Sequence, residues 1–221
     1  MSKLSINKSR ELKQKEEIFN SFSHGFGVLI ALGALVVLVV FAALHGTIWH
    51  IISYSIFGIT MVSLYLASTI YHGTNNIRKK IKLNLFDHSM IYLLIAGSYT
   101  PICLVVLHGV LGWTLFGIVW SIAIAGVIYK LFYYTGKPKE RKISAWLYVA
   151  MGWIAVTVIV PLIINAPAIS LWFLLAGGLS YSIGVIFYLW EQLPFAHGIF
   201  HLFILGGSIC HFFSFLFLLP I

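Results

Sequence analysis

Long apolar segments alternate with short polar ones along the chain, and this pattern predicts the architecture. Seven apolar segments each approach the ~20 residues that an α-helix needs to cross a hydrocarbon core of about 30 Å. Their apolar residues run continuously instead of alternating, which favours helices over the strands of a membrane barrel. We therefore predict an all-α fold, a bundle of seven transmembrane helices. The predicted spans are 24–44, 50–71, 87–107, 110–133, 144–164, 169–190 and 195–219.

The segment before the first span, residues 1–23, is polar and basic. Lysine and arginine residues recur along it, and Ile18, Phe19 and Phe22 follow at helical spacing. We predict a basic cytoplasmic arm that ends in a short interfacial amphipathic helix. The apolar segment after it is too long for the h-region of a cleaved signal peptide, which has about 7–15 residues. The chain thus divides into this arm, 1–23, and a seven-helix membrane domain, 24–221.

The composition agrees with a protein that lies largely within a bilayer. Hydrophobic residues make up 60% of the 221 residues and charged residues only 9%, whereas a soluble domain has about 25% charged residues. The formal net charge of +8 does not indicate nucleic-acid binding, because the basic residues lie in short segments between apolar ones. There they set topology and contact anionic lipid. We expect membrane lipids as partners, and the sequence leaves the oligomeric state open.

The basic residues between spans are confined to alternate connections. Residues 74–83 and 135–143 carry them, whereas the connections near Gly46, His108 and Asn165 have none. The positive-inside rule places the basic connections and the N-terminal arm in the cytoplasm. Seven spans then carry the C-terminus to the extracytoplasmic side, opposite to the orientation of G-protein-coupled receptors. We predict a multi-pass protein of the cell membrane.

Two histidines four residues apart, His197 and His201, open the last span. Residues at i and i+4 share a helix face and lie about 6 Å apart along the axis, so both imidazoles can reach one metal ion. Polar rings inside a membrane span cost free energy and therefore need a partner. A metal site and a hydrogen-bonded packing role both explain this pair when it is considered alone.

Further polar residues fall at the same depth, the cytoplasmic end of their spans. Ser68 and His72 lie one turn apart at the end of the second span, and Asp87 opens the third. Imidazoles from His72, His197 and His201 form a suitable ligand set for Zn²⁺, which in catalytic sites keeps a fourth position for water. Bound zinc lowers the pKa of water toward about 7. Asp87 can then accept or orient a proton, and Ser68 can hydrogen-bond a developing oxyanion.

Each of these residues also has an ordinary structural explanation. Asp87 is suited to cap the third helix, Ser68 can bond to its own backbone, and His72 can be a hydrated interfacial residue. His24 lies at the right depth, but nothing in the sequence gives its direction. His88 lies about 100° round the helix from Asp87, so we expect it to point elsewhere.

The remaining histidines are not predicted as ligands. His211 is ten residues beyond His201, roughly 15 Å further along the helix, and so falls outside the predicted site. His45, His50 and His108 fall at the opposite ends of their spans and are expected at the membrane interface.

Four short motifs resemble those of the haemolysin III family, the bacterial branch of the progestin and adipoQ receptor superfamily. They are Glu17-x2-Asn20-x3-His24, Ser68-x3-His72, Phe86-Asp87-His88-Ser89 with Gly97-Ser98-Tyr99-Thr100-Pro101, and His197-x3-His201. They occur in order and cover nearly the whole chain after the arm. The resemblance implies a seven-helix core with zinc on His72, His197 and His201. It also implies that Asp87 and Ser68 lie near the metal.

Three functions follow as hypotheses. The superfamily resembles alkaline ceramidases, which implies a zinc hydrolase that acts on a lipid amide or ester and takes part in membrane lipid homeostasis. A non-enzymatic sensor or regulator of membrane state, in which zinc is structural, is the second. A haemolysin, a cytolytic membrane protein as the family name implies, is the third. The sequence disfavours the third because no charged pore lining is visible: the basic residues avoid the spans, apart from Lys130.

Overall fold

The computed structural model describes residues 3–220, with side chains from residue 11 onward. Within that range the chain consists of helices and short connections and has no strand. The α-helices are α1 (Lys3–His45), α2 (Ile48–Gly73), α3 (Ile77–Pro101), α4 (Gly109–Phe132), α5 (Pro138–Gly152), α6 (Ile159–Asn165), α7 (Ala168–Leu189) and α8 (Ala196–Leu216). A π-helix, Ile102–Leu107, extends α3, and a 3₁₀-helix, Trp153–Val158, joins α5 to α6.

Seven helical segments are long and apolar enough to cross a membrane, which confirms the predicted fold class. The fifth of these spans, Pro138–Asn165, combines α5, the 3₁₀-helix and α6. The helices of the first, third and fifth spans begin well before the apolar segments predicted from the sequence. The reason is that hydrophobicity marks only the part inside hydrocarbon, whereas helix-favouring polar residues continue the helix beyond it.

The first helix shows this difference most clearly. α1 runs without a break from Lys3 through the residues predicted as an arm and on to His45. Ile18 and Phe22, from the predicted amphipathic segment, are 62% and 77% exposed and point away from the bundle. Residues 1 and 2, the side chains of residues 3–10 and residue 221 lie outside the described part. The division of the chain at residue 23 stays a prediction.

The third span changes its hydrogen-bonding pattern where the sequence places Pro101. Proline lacks a backbone N–H, so a helix cannot continue through it with a complete set of bonds. The α-helix ends at Pro101, and a π-helix follows, in which the His108 N–H donates to the Cys103 carbonyl at 3.2 Å. Single π turns inside helices occur frequently at functional sites.

A tyrosine hydroxyl connects the break in the fifth span to α3. The Tyr99 hydroxyl donates to the Gly152 carbonyl at 2.7 Å and accepts from the Ala155 N–H at 2.7 Å. Both backbone groups lie where α5 gives way to the 3₁₀-helix. Because hydrocarbon offers no hydrogen-bond partner, groups freed by such a break must be satisfied by protein. Tyr99 meets this requirement and fixes the break beside α3.

Basic side chains gather at one end of the bundle, which we call the basic end. It contains the connections between α2 and α3 and between α4 and α5, together with the lysines and arginines that open α3 and α5. The helices alternate in direction, so α2 ends there and α8 begins there. α8 packs between α1 and α7. The orientation of the basic end toward the cytoplasm stays a prediction.

Candidate metal centre

Three histidines from two helices meet at the basic end. His72 lies in the last turn of α2, and His197 and His201 lie in the first two turns of α8. One ligand nitrogen from each can be chosen so that all three lie within 4.8 Å of one another. The ring centroids are 5.0 Å apart for His72 and His197, and 4.7 Å apart for His197 and His201. Together they form a group that could hold a metal ion, which we call the histidine group.

The chemistry of these rings fits a cation. Nε2 of His72 and Nε2 of His197 are buried, and neither has a hydrogen-bond partner among residues 11–220. A buried nitrogen without a partner costs free energy, and coordination of an ion would use its lone pair. Imidazole nitrogens suit zinc, copper, iron and nickel. The donor set therefore supports zinc or a transition metal such as copper, iron or nickel.

A carboxylate fixes the orientation of His72. Oε2 of Glu17 lies 3.0 Å from Nδ1 of His72 and 2.6 Å from the Lys80 ammonium. With the proton on Nδ1 donated to Glu17, the buried Nε2 keeps its lone pair and has no partner among the described residues. Histidines that bind metals commonly use their second nitrogen in this way. Glu17 was not assigned a role from the sequence, although it belongs to one of the four motifs.

A hydroxyl on α1 has the corresponding role for His201. Ser23 Oγ donates to the Asn20 carbonyl at 3.0 Å and lies 3.3 Å from Nδ1 of His201. Because the serine proton is already committed, Nδ1 of His201 is the donor, which leaves Nε2 free to bind. Gly198 allows α1 to approach this closely, since a Cβ there would lie 2.6 Å from the Phe19 ring.

His24 also belongs to this end of the molecule. Its ring stacks on His201 with centroids 3.5 Å apart and 9° between the planes. It meets the edge of Tyr65 at 5.0 Å. Both of its ring nitrogens are buried and have no partner among residues 11–220. The sequence left its direction open, and the structure places it against the histidine group without making it part of that group.

Asp87 and Ser68 line one cavity together with the histidines of α8. The capping explanation for Asp87 is wrong, because α3 begins at Ile77 and has Asn76 as its N-cap. The backbone explanation for Ser68 is wrong as well, because its buried hydroxyl has no partner in the described chain. His72 is only 5% exposed and is not a hydrated interfacial residue. The catalytic roles of Asp87 and Ser68 stay predictions.

His88 lines the same cavity, although it leaves α3 about 100° round the helix from Asp87. Its Nδ1 lies 2.7 Å from the Asn84 carbonyl and its Nε2 lies 3.0 Å from the Tyr188 hydroxyl. Nδ1 therefore donates and Nε2 accepts. Both nitrogens are satisfied, which leaves no lone pair of His88 for a metal.

The cavity has a volume of about 460 Å³ and extends from the histidine group between α3, the fifth span, α7 and α8. Its wall is largely aliphatic and aromatic, and a volume of this size is typical of small-molecule sites. Some wall residues are also exposed on the outside of the bundle: Val156 is 53% exposed, Ile163 61% and Trp172 68%. The cavity therefore opens sideways, between the fifth span and α7, toward the region that lipid would occupy.

Comparison with known proteins decides the family. A family model described as "Haemolysin-III related" matches residues 12–212. The chain belongs to the haemolysin III family. This confirms the resemblance inferred from the four motifs, and with the seven apolar helices it makes the chain a multi-pass membrane protein of that family.

Several relatives of this haemolysin III protein match over almost the whole chain. Hemolysin-3 of Bacillus cereus is 45% identical over 203 residues, which cover 92% of this chain and 91% of the relative. The Hemolysin-3 homolog of Bacillus subtilis (strain 168) is also 45% identical, with 94% of that protein covered. The human Monocyte to macrophage differentiation factor is 26% identical over 205 residues, or 90% of this chain and 82% of the relative. No solved structure gives a significant match.

Proposed function

We propose that this haemolysin III protein is a zinc-dependent hydrolase of the cell membrane that acts on an amide or ester of a lipid. In this role it would take part in membrane lipid homeostasis. The observation that carries the proposal is that His197 and His201 of the three-histidine group line one apolar cavity together with Ser68 and Asp87. The cavity opens toward lipid, so a substrate could enter it without leaving the bilayer.

Zinc is the metal that the site supports best. The group that could hold a metal has three histidines and no further ligand among the described residues, which is the arrangement of catalytic zinc sites that keep one position open. Zinc held by His72, His197 and His201 would act as a Lewis acid on a carbonyl oxygen and would lower the pKa of water. Glu17 and Ser23 would hold two of the rings in the binding tautomer through their Nδ1 atoms.

The chain's own residues account for the proton transfers. When water attacks the carbonyl carbon of an amide, the Asp87 carboxylate takes the proton that water loses. The same carboxyl group then gives a proton to the nitrogen as the carbon–nitrogen bond breaks, so the products are an acid and an amine. The Ser68 hydroxyl lies beside Asp87 without meeting hydrogen-bond geometry to any described residue, and it can donate to the carbonyl oxygen as negative charge develops on it.

The cavity wall supports a lipid as substrate. The aliphatic chain of the lipid would lie along this wall, away from the polar groups of the site. In that position it would hold the scissile bond of the lipid beside Asp87. The wall also limits the water that reaches the reacting atoms, which strengthens every electrostatic interaction there.

The experiment compares wild-type protein with Asp87→Asn and His201→Ala. Purified protein is assayed for zinc content and for turnover of a panel of lipid amides and esters. We expect turnover by the wild type, loss of turnover with retained zinc in Asp87→Asn, and loss of both in His201→Ala. Zinc retention by the wild type with no hydrolysis across the panel would overturn the proposal.

A sensor or regulator with structural zinc is the second candidate. It is supported by the way the histidine group, Glu17 and Ser23 join α1, α2 and α8 at one end. In that case the same variants would give a different result. His201→Ala would lower the melting temperature sharply, while Asp87→Asn would change neither zinc content nor any output of the protein. A cytolytic role is supported only by the names of the Bacillus relatives.

A further inference from the structure

A second unsatisfied histidine lies in the cavity wall, away from the histidine group. His211 is on the same helix as His201, ten residues further on, which separates the two by roughly 15 Å along the axis. Both residues line the cavity. His211 is 6% exposed, and neither of its ring nitrogens has a hydrogen-bond partner among residues 11–220.

The surroundings hold this ring in a defined place. A Cβ at Gly177 of α7 would lie 2.3 Å from Cδ2 and 2.6 Å from Nε2 of His211, so the ring occupies space that only glycine leaves free. The Tyr181 ring meets it edge-on at 5.2 Å, and Phe215 lies at 5.9 Å. The Leu174 carbonyl lies near the ring but outside hydrogen-bond geometry.

Other polar side chains in this part of the wall are satisfied by the protein. The Tyr181 hydroxyl pairs with Ser208 at 2.9 Å, and the Trp153 indole donates to Ser182 at 2.9 Å. Tyr99 and Ser98 bond to backbone groups. Among the buried and partly buried polar side chains that line the cavity away from the histidine group, His211 is thus the exception, because it has no hydrogen-bond partner in the described chain. A buried imidazole without partners costs free energy that a suitable ligand would recover.

We infer that His211 is a hydrogen-bonding subsite for an oxygen function on the chain of the bound lipid. The inference rests on the proposed function in that both place an acyl chain in this cavity. The ligand is then a lipid whose head lies at the histidine group and whose chain carries a hydroxyl roughly 15 Å away. A neutral imidazole offers one donor and one acceptor, and a hydroxyl can use either.

The test measures binding of two matched probes, stearic acid and 12-hydroxystearic acid, to purified protein in one detergent. In the wild type we expect the hydroxylated acid to bind about three- to tenfold more tightly, because one hydrogen bond replaces an unpaired buried group. In His211→Phe, which keeps a ring but removes both nitrogens, the two acids should bind equally. His211→Leu gives the same comparison if phenylalanine does not fit over Gly177.

The controls separate this inference from the proposed function. His45→Phe removes an exposed histidine at the end of α1 and should keep the preference for the hydroxylated acid. Equal binding of both acids to the wild type, a preference that survives in His211→Phe, or no binding of either acid would overturn the inference. If the preference holds while no lipid is hydrolysed, only the hydrolase proposal fails.

Discussion

His72 shows how a side chain on one helix depends on residues far away in the sequence. Its Nδ1 is held by Glu17, 3.0 Å away, and its ring centroid lies 5.0 Å from those of His197 and His201 of α8. The Lys80 ammonium, 2.6 Å from the same Glu17 oxygen, keeps that carboxylate in place. A carboxylate that already orients the histidine ring leaves it less conformational freedom to lose when it binds a metal. The metal affinity is therefore higher.

We expect Glu17→Ala to lower zinc affinity about 10- to 100-fold while the protein still folds. The reason is that His72 loses the acceptor that fixes its tautomer. The matched control is Glu11→Ala, because Glu11 is on the same helix and pairs with Lys15 at 2.7 Å on the exposed surface. Zinc affinity is measured by competition with a chromophoric chelator. Equal affinities in the two variants would show that Glu17 does not orient the ligand.

The sequence could predict the histidine group but not the residues that support it. His197 and His201 are recognisable because their spacing puts them on one helix face, and His72 because its depth in the second span matches theirs. Glu17 and Ser23 could not be assigned, because their contacts depend on how α1 packs against α2 and α8. One signal was present: Glu17, Asn20 and His24 follow helical spacing, which indicates a polar helix face that continues into the first span.

At the scale of elements, the fifth span is the least regular of the seven. Hydropathy predicts that a helix crosses there, since 144–164 is apolar, but it carries no information on hydrogen bonding within the span. Where α5 changes to a 3₁₀-helix at Trp153, the backbone groups of Gly152 and Ala155 bond to Tyr99, a residue of another helix. This break lies in the cavity wall beside the lateral opening. The third span differs, because Pro101 marks its irregularity directly in the sequence.

We expect Tyr99→Phe to lower the free energy of unfolding by about 1–3 kcal/mol, because the Gly152 carbonyl and the Ala155 N–H both lose their partner in a non-aqueous region. The change keeps the ring and removes only the hydroxyl. Tyr133→Phe is the control, since Tyr133 is 69% exposed. The melting temperature of each purified variant is measured in the same detergent. No difference between the two variants would mean that the break in the fifth span does not need the Tyr99 hydroxyl.

At the scale of the whole molecule, the metal end and the basic end coincide. The histidine group, Asp87 and Ser68 all lie toward the end where the lysine-rich connections are found. If the positive-inside rule holds, any chemistry at this site takes place in the cytoplasmic half of the bilayer. The cavity then extends from there toward the opposite leaflet and opens sideways to lipid. The orientation therefore decides from which leaflet a substrate head would approach.

The two ends of the fifth span allow this orientation to be tested within one span. Lys139 lies at the basic end and Asn165 at the opposite end, and both are exposed. Each is changed to cysteine in a background in which Cys103 and Cys210 are alanine, and intact cells are treated with a membrane-impermeant thiol reagent. We expect Asn165→Cys to react in intact cells and Lys139→Cys to react only after permeabilisation, because the basic connection faces the cytoplasm. Labelling of Lys139→Cys in intact cells, with Asn165→Cys protected, would reverse the topology and place the histidine group in the outer half of the bilayer.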